Sequence, residues 1–256
     1  MTASDHILEP AALEQYAKRG WLAERGFFSA ADIDGIVRFT EEIRTLPEAA
    51  GAQMVYRETS LLDPNARIIQ RIENFCPYHA GIDALIRGGR LQRRVEQLFG
   101  CPAVLFKEKI NFKLPGGGAF EPHQDQQAGW SVYAPLFITA MVSIDEATLE
   151  NGCLQIADLP RQSALIGREW APLSAAEMAH FEMVPMPTRR GDVLFFDSFV
   201  PHASKPNMSH EQRRILYLTY NRASDGDHRI RYFADKRASY PPDIERLSNV
   251  EYRFRV

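Results

Sequence analysis

The sequence predicts a mainly β domain with flanking helices, in which a helical first third packs on a β-sandwich or barrel core. Three observations carry this expectation. From about residue 102, short apolar runs alternate with turn signals, as in antiparallel sheets. Over the preceding ninety residues the apolar positions instead recur at helical spacing. The composition, 45% hydrophobic and 25% charged over 256 residues, is enough to fill a core. No repeat or low-complexity linker interrupts the chain, so one domain is expected over 1–256. Its parts are a mainly helical flank (1–100), a β core (101–225) and a wrapping tail (226–256).

The elements follow in order. "SAADIDGIVRFTEEIRTL" offers Ser29 as an N-cap and places Ile33, Ile36, Val37, Ile43 and Leu46 on one helical face. "RIIQRIENF" reads as a strand, and "GIDALIRGGRLQRRVEQLFG" as a second helical stretch stopped by Gly100. "AVLFKEKINFKL" alternates and ends at the turn "PGGG". "PLFITAMVSI" is a nearly continuous apolar run, the pattern of a buried strand. "CLQIADL" follows the turn Glu150-Asn151-Gly152, "DVLFFDSFV" follows Arg190-Gly191-Asp192, and "RRILYLTYN" comes next. The last segment, "DHRIRYFADKRASYPPDIER", is basic, aromatic and broken by prolines.

Charge and cysteine usage exclude several classes. With 30 basic and 33 acidic side chains the net charge is −3, which gives no electrostatic reason for nucleic acid or an anionic membrane as partner. Cys76, Cys101 and Cys153 are odd in number and lack C-x-x-C spacing, so they read as reduced thiols. No secretory h-region and no run of membrane-spanning length is visible, and a cytoplasmic protein is expected.

The chemistry begins in "FEPHQDQQAGW". On a strand, His123 and Asp125 share a face, because side chains at i and i+2 do. The pair alone is a weak signal. His202, in "FFDSFVPHASKPN", follows a later apolar β run and supplies a third ligand. Two imidazoles and one carboxylate, with three coordination positions open, is the donor set of non-haem iron oxygenases; cysteines would favour zinc or an iron–sulfur site. The next strand opens with Arg213 and Arg214. An arginine at a strand start inside a barrel requires an anion, and a dicarboxylate co-substrate would supply one for its bidentate fork. Ser204, on the face of His202, could add a hydroxyl.

Other features admit two readings each. Lys107, Lys109 and Lys113 alternate with Asn111 on one strand face, which is either solvated or binds a co-substrate or anionic substrate. Trp130 and Tyr133 are pocket walls or core aromatics, while Gln126 and Gln127 are polar neighbours of the H-x-D pair. "PGGG" lacks the Lys-Ser/Thr ending of a phosphate loop and reads as a hairpin or mobile loop at the site's edge. Arg229 and Arg231 read as surface residues able to close over an anion.

"HQD", "PHAS", "RRILY" and "SIDEATLENGCL" together resemble the phytanoyl-CoA dioxygenase family of Fe(II)/2-oxoglutarate-dependent oxygenases. The resemblance runs from about Trp21 to Val256 and is strongest between Lys107 and Asn221. It implies a double-stranded β-helix, a cupin-like jelly-roll with helices packed outside. It also implies Fe(II) on His123, Asp125 and His202, 2-oxoglutarate on Arg213 with Ser204 assisting, and dioxygen as the oxidant. Gln124 stands where the family often places a residue near the co-substrate, and Arg214 would point to the opposite face. Asn111 is a further candidate for the co-substrate; Lys109, Lys113, Gln126 and Trp130 are candidates for the substrate. More narrowly, "KINFKLPGGGAFEPHQDQQAGW" and "ASDGDHRIRYFADKRASYPPD" are similar to bacterial hydroxylases of 2-aminoethylphosphonate within this family. Where many members carry Pro-Gly-Ser-His, this chain reads "CLQIADLPRQSALIG", with Asp158 and Arg161 and no histidine. The resemblance implies hydroxylation of an unactivated carbon in a small polar or anionic substrate. Another small metabolite, an acyl-CoA, or a jelly-roll that holds metal without turnover are the alternatives. Asp125 fills the coordination position that halogenases of this fold leave open.

Overall fold

The computed structural model describes residues 7–252; residues 1–6 and the last four of the expected tail lie outside them. Helix α1 (Pro10–Arg19) leads into strand β1 (Trp21–Glu24) and helix α2 (Ala30–Arg44). Strands β2 (Met54–Thr59) and β3 (Arg67–Glu73) precede helices α3 (Ala80–Ile86) and α4 (Arg90–Phe99). The core then runs through β4 (Ala103–Lys113), β5 (Phe120–His123), β6 (Phe137–Ser143) and β7 (Leu154–Ala157). It continues with α5 (Ala175–Met178), β8 (Met183–Met186), β9 (Val193–Asp197), β10 (His202–Ser204) and β11 (Arg213–Arg222). Helix α6 (Arg229–Ser239) lies in the tail.

All pairings are antiparallel. The major sheet has the order β1-β9-β6-β11-β4-β3-β2, the minor one β5-β10-β7-β8. The two form the jelly-roll core. Strand alternation decides what each face of the major sheet carries. Ile110 and Phe112 on β4, Ile138, Ala140 and Val142 on β6, and Leu216, Leu218 and Tyr220 on β11 join the cluster under the helices. Their odd-numbered neighbours face the minor sheet, where Met141, Ile215 and Tyr217 pack with Leu154, Ile156, Leu194 and Phe196. Both faces of β6 are therefore covered, which explains its continuous apolar run.

The helices form for local reasons. Ser29 caps α2 through a capping box: its hydroxyl accepts from the Asp32 amide at 3.2 Å, and the Asp32 carboxylate accepts from the Ser29 amide at 2.9 Å. Ile33, Ile36 and Ile43 are buried, worth roughly 1.5–3 kcal/mol each against exposure. Arg214 pins α2 to the sheet, with two 2.7 Å bonds to the Asp145 carboxylate and one of 2.6 Å to Glu41. The second helical stretch is in fact two helices, because Gly88 takes a φ of +67° and breaks the run before α4. The flank also contributes β1, β2 and β3 to the major sheet. β1 has only four residues, too few to show a period, and its pairing with β9 is set by tertiary context. No helix among the described residues is long and apolar enough to cross a membrane.

Gly152, in the turn before β7, has a φ of +76°, and a Cβ there would lie 2.2 Å from the Lys205 carbonyl oxygen. Gly152→Ala is expected to lower stability by about 2 kcal/mol or more, read as a reduced denaturant midpoint. Gly26→Ala, at similar φ but in open space, should cost less.

Candidate active site

The two histidines lie side by side on paired strands. His123 ends β5, and His202, which opens β10, is its register partner, with ring centroids 4.4 Å apart. Asp125 does not continue the strand; it opens a 3-10 turn, Asp125–Ala128, that folds the carboxylate back toward the imidazoles. Its Oδ1 lies 3.9 Å from His123 Nε2 and 4.0 Å from His202 Nε2, too far for hydrogen bonds. The three ligand atoms fall within 4.8 Å of one another.

The imidazole tautomers follow from geometry. His123 Nδ1 is 2.7 Å from the Glu121 carbonyl oxygen and His202 Nδ1 is 3.0 Å from that of Val200. A carbonyl only accepts, so each Nδ1 carries the proton and each Nε2 presents a bare lone pair. Burial, with His202 adding to it, pulls His123 down to about 3, and burial also lowers His202. Burial would raise Asp125, but His202, Lys109 and His123 outweigh it, and the carboxyl ends below its ordinary value. Two neutral imidazoles and a carboxylate thus aim lone pairs at one gap, an arrangement a divalent cation satisfies. Thr139 Oγ1 lies 3.4 Å from the other Asp125 oxygen and 2.9 Å from Thr219 Oγ1. Thr139 escaped the sequence reading because it sits within the apolar run of β6.

Arg213 starts β11 fully buried, opposite Lys113 on β4. None of its three guanidinium nitrogens meets an acceptor at good hydrogen-bond geometry, and no carboxylate among the described residues pairs with it, a costly state for a charged group; the Tyr217 hydroxyl is its polar neighbour. Burial raises the nearby Tyr217 hydroxyl, and Arg213 opposes that rise. Lys113 Nζ donates to Ser204 Oγ at 2.7 Å and to the Lys205 carbonyl at 2.5 Å. Burial, reinforced by Arg213, pulls it down to about 6. Arg214 faces the other way, as described above.

A cavity of about 20 Å³ is lined by the three candidate ligands together with Lys107, Lys109, Asn111, Ser204, Thr139, Tyr217 and Trp130. The lysine row is therefore not a solvated face. Asn111 is buried and its Oδ1 has no partner. Trp130 also lines a much larger outer cleft of about 730 Å³ with Tyr133, Trp170, Tyr232, Lys236 and Tyr240. Gln124 does not face the cavity. Its amide donates to the Ala164 and Phe199 carbonyls and its oxygen accepts from the Ile166 amide, bracing the loop after β7. Gln126 is likewise turned away, donating to Ala134 and Ser131, and Gln127 to the carbonyls of Arg168 and Ala171. In that loop Arg161 pairs with Asp197 at 2.7 Å, and Asp158 pairs with Arg19.

Arg229 is buried rather than at the surface, because Glu108 takes its guanidinium, whereas Arg231 is exposed. "PGGG" is a fixed turn: the Gly116 amide donates to the Asn207 carbonyl at 2.8 Å, and the Asn207 amide to the Gly117 carbonyl at 2.9 Å.

The chain is 40% identical to a 2-aminoethylphosphonate dioxygenase from an uncultured bacterium (HF130_AEPn_1), over 93% of this chain and 91% of that one. It is 36% identical to a methylphosphonate hydroxylase from Gimesia maris, over 91% and 88%. Among solved structures, EctD from S. alaskensis with 2-oxoglutarate and 5-hydroxyectoine shares the fold at a TM-score of 0.71 and 20% identity, covering 88% of this chain and 80% of that one. Residues 16–215 match the phytanoyl-CoA dioxygenase (PhyH) family, and with 40% identity over nearly the whole chain to one of the dioxygenases above, this protein belongs to that family.

Proposed function

We propose that the chain is an Fe(II)- and 2-oxoglutarate-dependent hydroxylase of a small organophosphonate. The carrying observation is the gap among His123, Asp125 and His202, together with a buried Arg213 that has no carboxylate partner among the described residues and sits beside Tyr217, a residue of the same cavity. The donor set suits Fe(II), and the guanidinium suits the distal carboxylate of the co-substrate. With iron, 2-oxoglutarate and dioxygen bound, decarboxylation of the co-substrate to succinate and carbon dioxide supplies the oxidising power that puts one oxygen atom into a substrate C–H bond.

The protein's part is to hold and orient. His123 and His202 would hold the iron through Nε2 and Asp125 through a carboxylate oxygen, while Thr139 steadies the second carboxylate oxygen. Arg213 would hold the distal carboxylate of the dicarboxylate, with Ser204 and Lys113 beside it. Leu154 and Phe196 give the cavity an apolar wall that limits water. Asp125 occupies the position a halide would need, which favours hydroxylation. The relatives named for 2-aminoethylphosphonate and methylphosphonate have a phosphonate group in common, and the cationic lining of the cavity supports such a substrate over an acyl-CoA. 2-Aminoethylphosphonate, oxidised at the carbon next to phosphorus, is the first to test. The free thiols Cys76, Cys101 and Cys153 support a cytoplasmic setting.

Succinate should form in step with hydroxylated product when the Fe(II)-loaded protein receives 2-oxoglutarate, oxygen and 2-aminoethylphosphonate. Absence of succinate with every phosphonate tried would defeat the substrate reading. Chelation should abolish turnover and added Fe(II) restore it. His202→Ala and Asp125→Ala should each lose iron on gel filtration, measured by metal content, and fall at least about 100-fold in rate. Arg213→Ala should raise the KM for 2-oxoglutarate about 100-fold, with Arg213→Lys recovering only part; an unchanged KM would remove Arg213 from the co-substrate site.

A further inference from the structure

The inner face of β3, β4 and β11 carries Arg71, Lys107, Lys109, Lys113 and Arg213, and α6 adds Lys236. The carboxylates within reach are Glu73 and Asp125, with Glu58 acting on Lys113. Glu73 is taken by Arg71 at 2.7 Å and by Lys236 at 2.5 Å. Lys113 has Ser204 and a carbonyl, and Arg213 awaits the dicarboxylate. Lys107 and Lys109 remain. Among the described residues neither makes a hydrogen bond or ion pair. Both rest on ring faces, Lys107 at 4.9 Å from Trp130 and 5.3 Å from Tyr232, Lys109 at 4.9 Å from Tyr217. Both line the cavity of the candidate iron ligands. Cation–π contact offsets only part of the cost of burying an ammonium.

Position separates these two lysines from the co-substrate clamp. At about 3.4 Å per residue along a strand, the Lys109 backbone lies roughly 13 Å from that of Lys113 and the Lys107 backbone roughly 20 Å. One five-carbon dicarboxylate with an end on Arg213 does not span to Lys107. A second anion would answer the charge at that end of the row.

We propose that Lys107 and Lys109 form a separate anion subsite that holds the substrate's tetrahedral phosphonate dianion, with the rest of the substrate directed toward Trp130. The proposal rests on the hydroxylase reading and deepens it by naming the groups that select the substrate. Two ammonium groups facing one site match a doubly charged head group and discriminate against a neutral or cationic one of the same size. Trp130, the wall shared with the outer cleft, sets how much can follow the phosphonate into the small inner cavity.

The test uses the full chain loaded with Fe(II), with kinetics followed by succinate release and folding by thermal melting. Lys107→Met and Lys109→Met should each raise the KM for 2-aminoethylphosphonate at least 10-fold and leave the KM for 2-oxoglutarate within 3-fold. Lys109→Arg should keep most of the affinity. A rise in the 2-oxoglutarate KM alone would assign the lysines to the co-substrate and overturn the subsite, as would no change in either constant. Inorganic phosphate serves as a second probe that needs no turnover. By calorimetry it should bind the anaerobic Fe(II)–2-oxoglutarate protein, and the double variant Lys107→Met/Lys109→Met should lose that binding. Phosphate that displaces 2-oxoglutarate, or fails to bind the wild type, defeats the subsite. Phosphate binding without phosphonate turnover would leave the subsite standing while the hydroxylase reading fell.

Discussion

Positive charge buried on one face of the major sheet is the constraint that the remaining structure answers. Six basic side chains, Arg71, Lys107, Lys109, Lys113, Arg213 and Lys236, gather with Glu73 and Asp125 on this face; Arg71, Lys107, Lys113 and Arg213 are buried, and Lys109 and Lys236 are half-buried. Two like charges about 4 Å apart repel by roughly 4 kcal/mol at the effective dielectric of a protein, and burial adds the loss of hydration. Several devices lessen this. Glu73 sits between two cations and is held well below the usual carboxylate range, although burial opposes that. Lysines are packed against rings. Burial also lowers Lys109 to about 8, with Lys107 adding to it, and depresses Lys236 strongly. What these leave over is an appetite for small anions, which a polar cavity of neutral residues would not have.

The opposite face of the same sheet makes that placement possible. Strands β6, β9 and β11 bury aliphatic and aromatic side chains under α2 and α4, and this apolar layer is a source of folding free energy the charged face does not supply. Register links the two. Arg213 and Arg214 are neighbours pointing to opposite faces, and a slip of one residue would exchange them. The bidentate bond of Arg214 to Asp145 on the outside thereby fixes Arg213 on the inside.

Much of this was legible in the sequence. Alternation and turn signals pointed to the β core, and the Ser29 cap and Gly100 stop marked the helix ends. His123, Asp125 and His202 stood out because metal-ligand residue types recurred at strand spacing, and Arg213 because an arginine at a buried strand start needs a partner. The unread features depend on contacts between distant segments. Glu73 pairs in register with Lys109, and no local pattern announces a carboxylate placed there. Arg229 read as a surface residue because its partner Glu108 is far away in the chain. Gln124 and Gln126 belong to a polar stretch in which bracing a loop and touching a ligand call for the same residue type.

Each candidate iron-binding histidine takes its orientation from a carbonyl two residues earlier on its own chain, Glu121 for His123 and Val200 for His202. In many metal sites that task falls to a carboxylate elsewhere in the fold, which a point mutation can delete. A main-chain carbonyl is present whatever side chain the residue bears. The tautomer that bares Nε2 is therefore insulated from side-chain replacement at 121 and 200, and the ligand geometry has a mutational robustness that the lysine-lined part of the same cavity lacks.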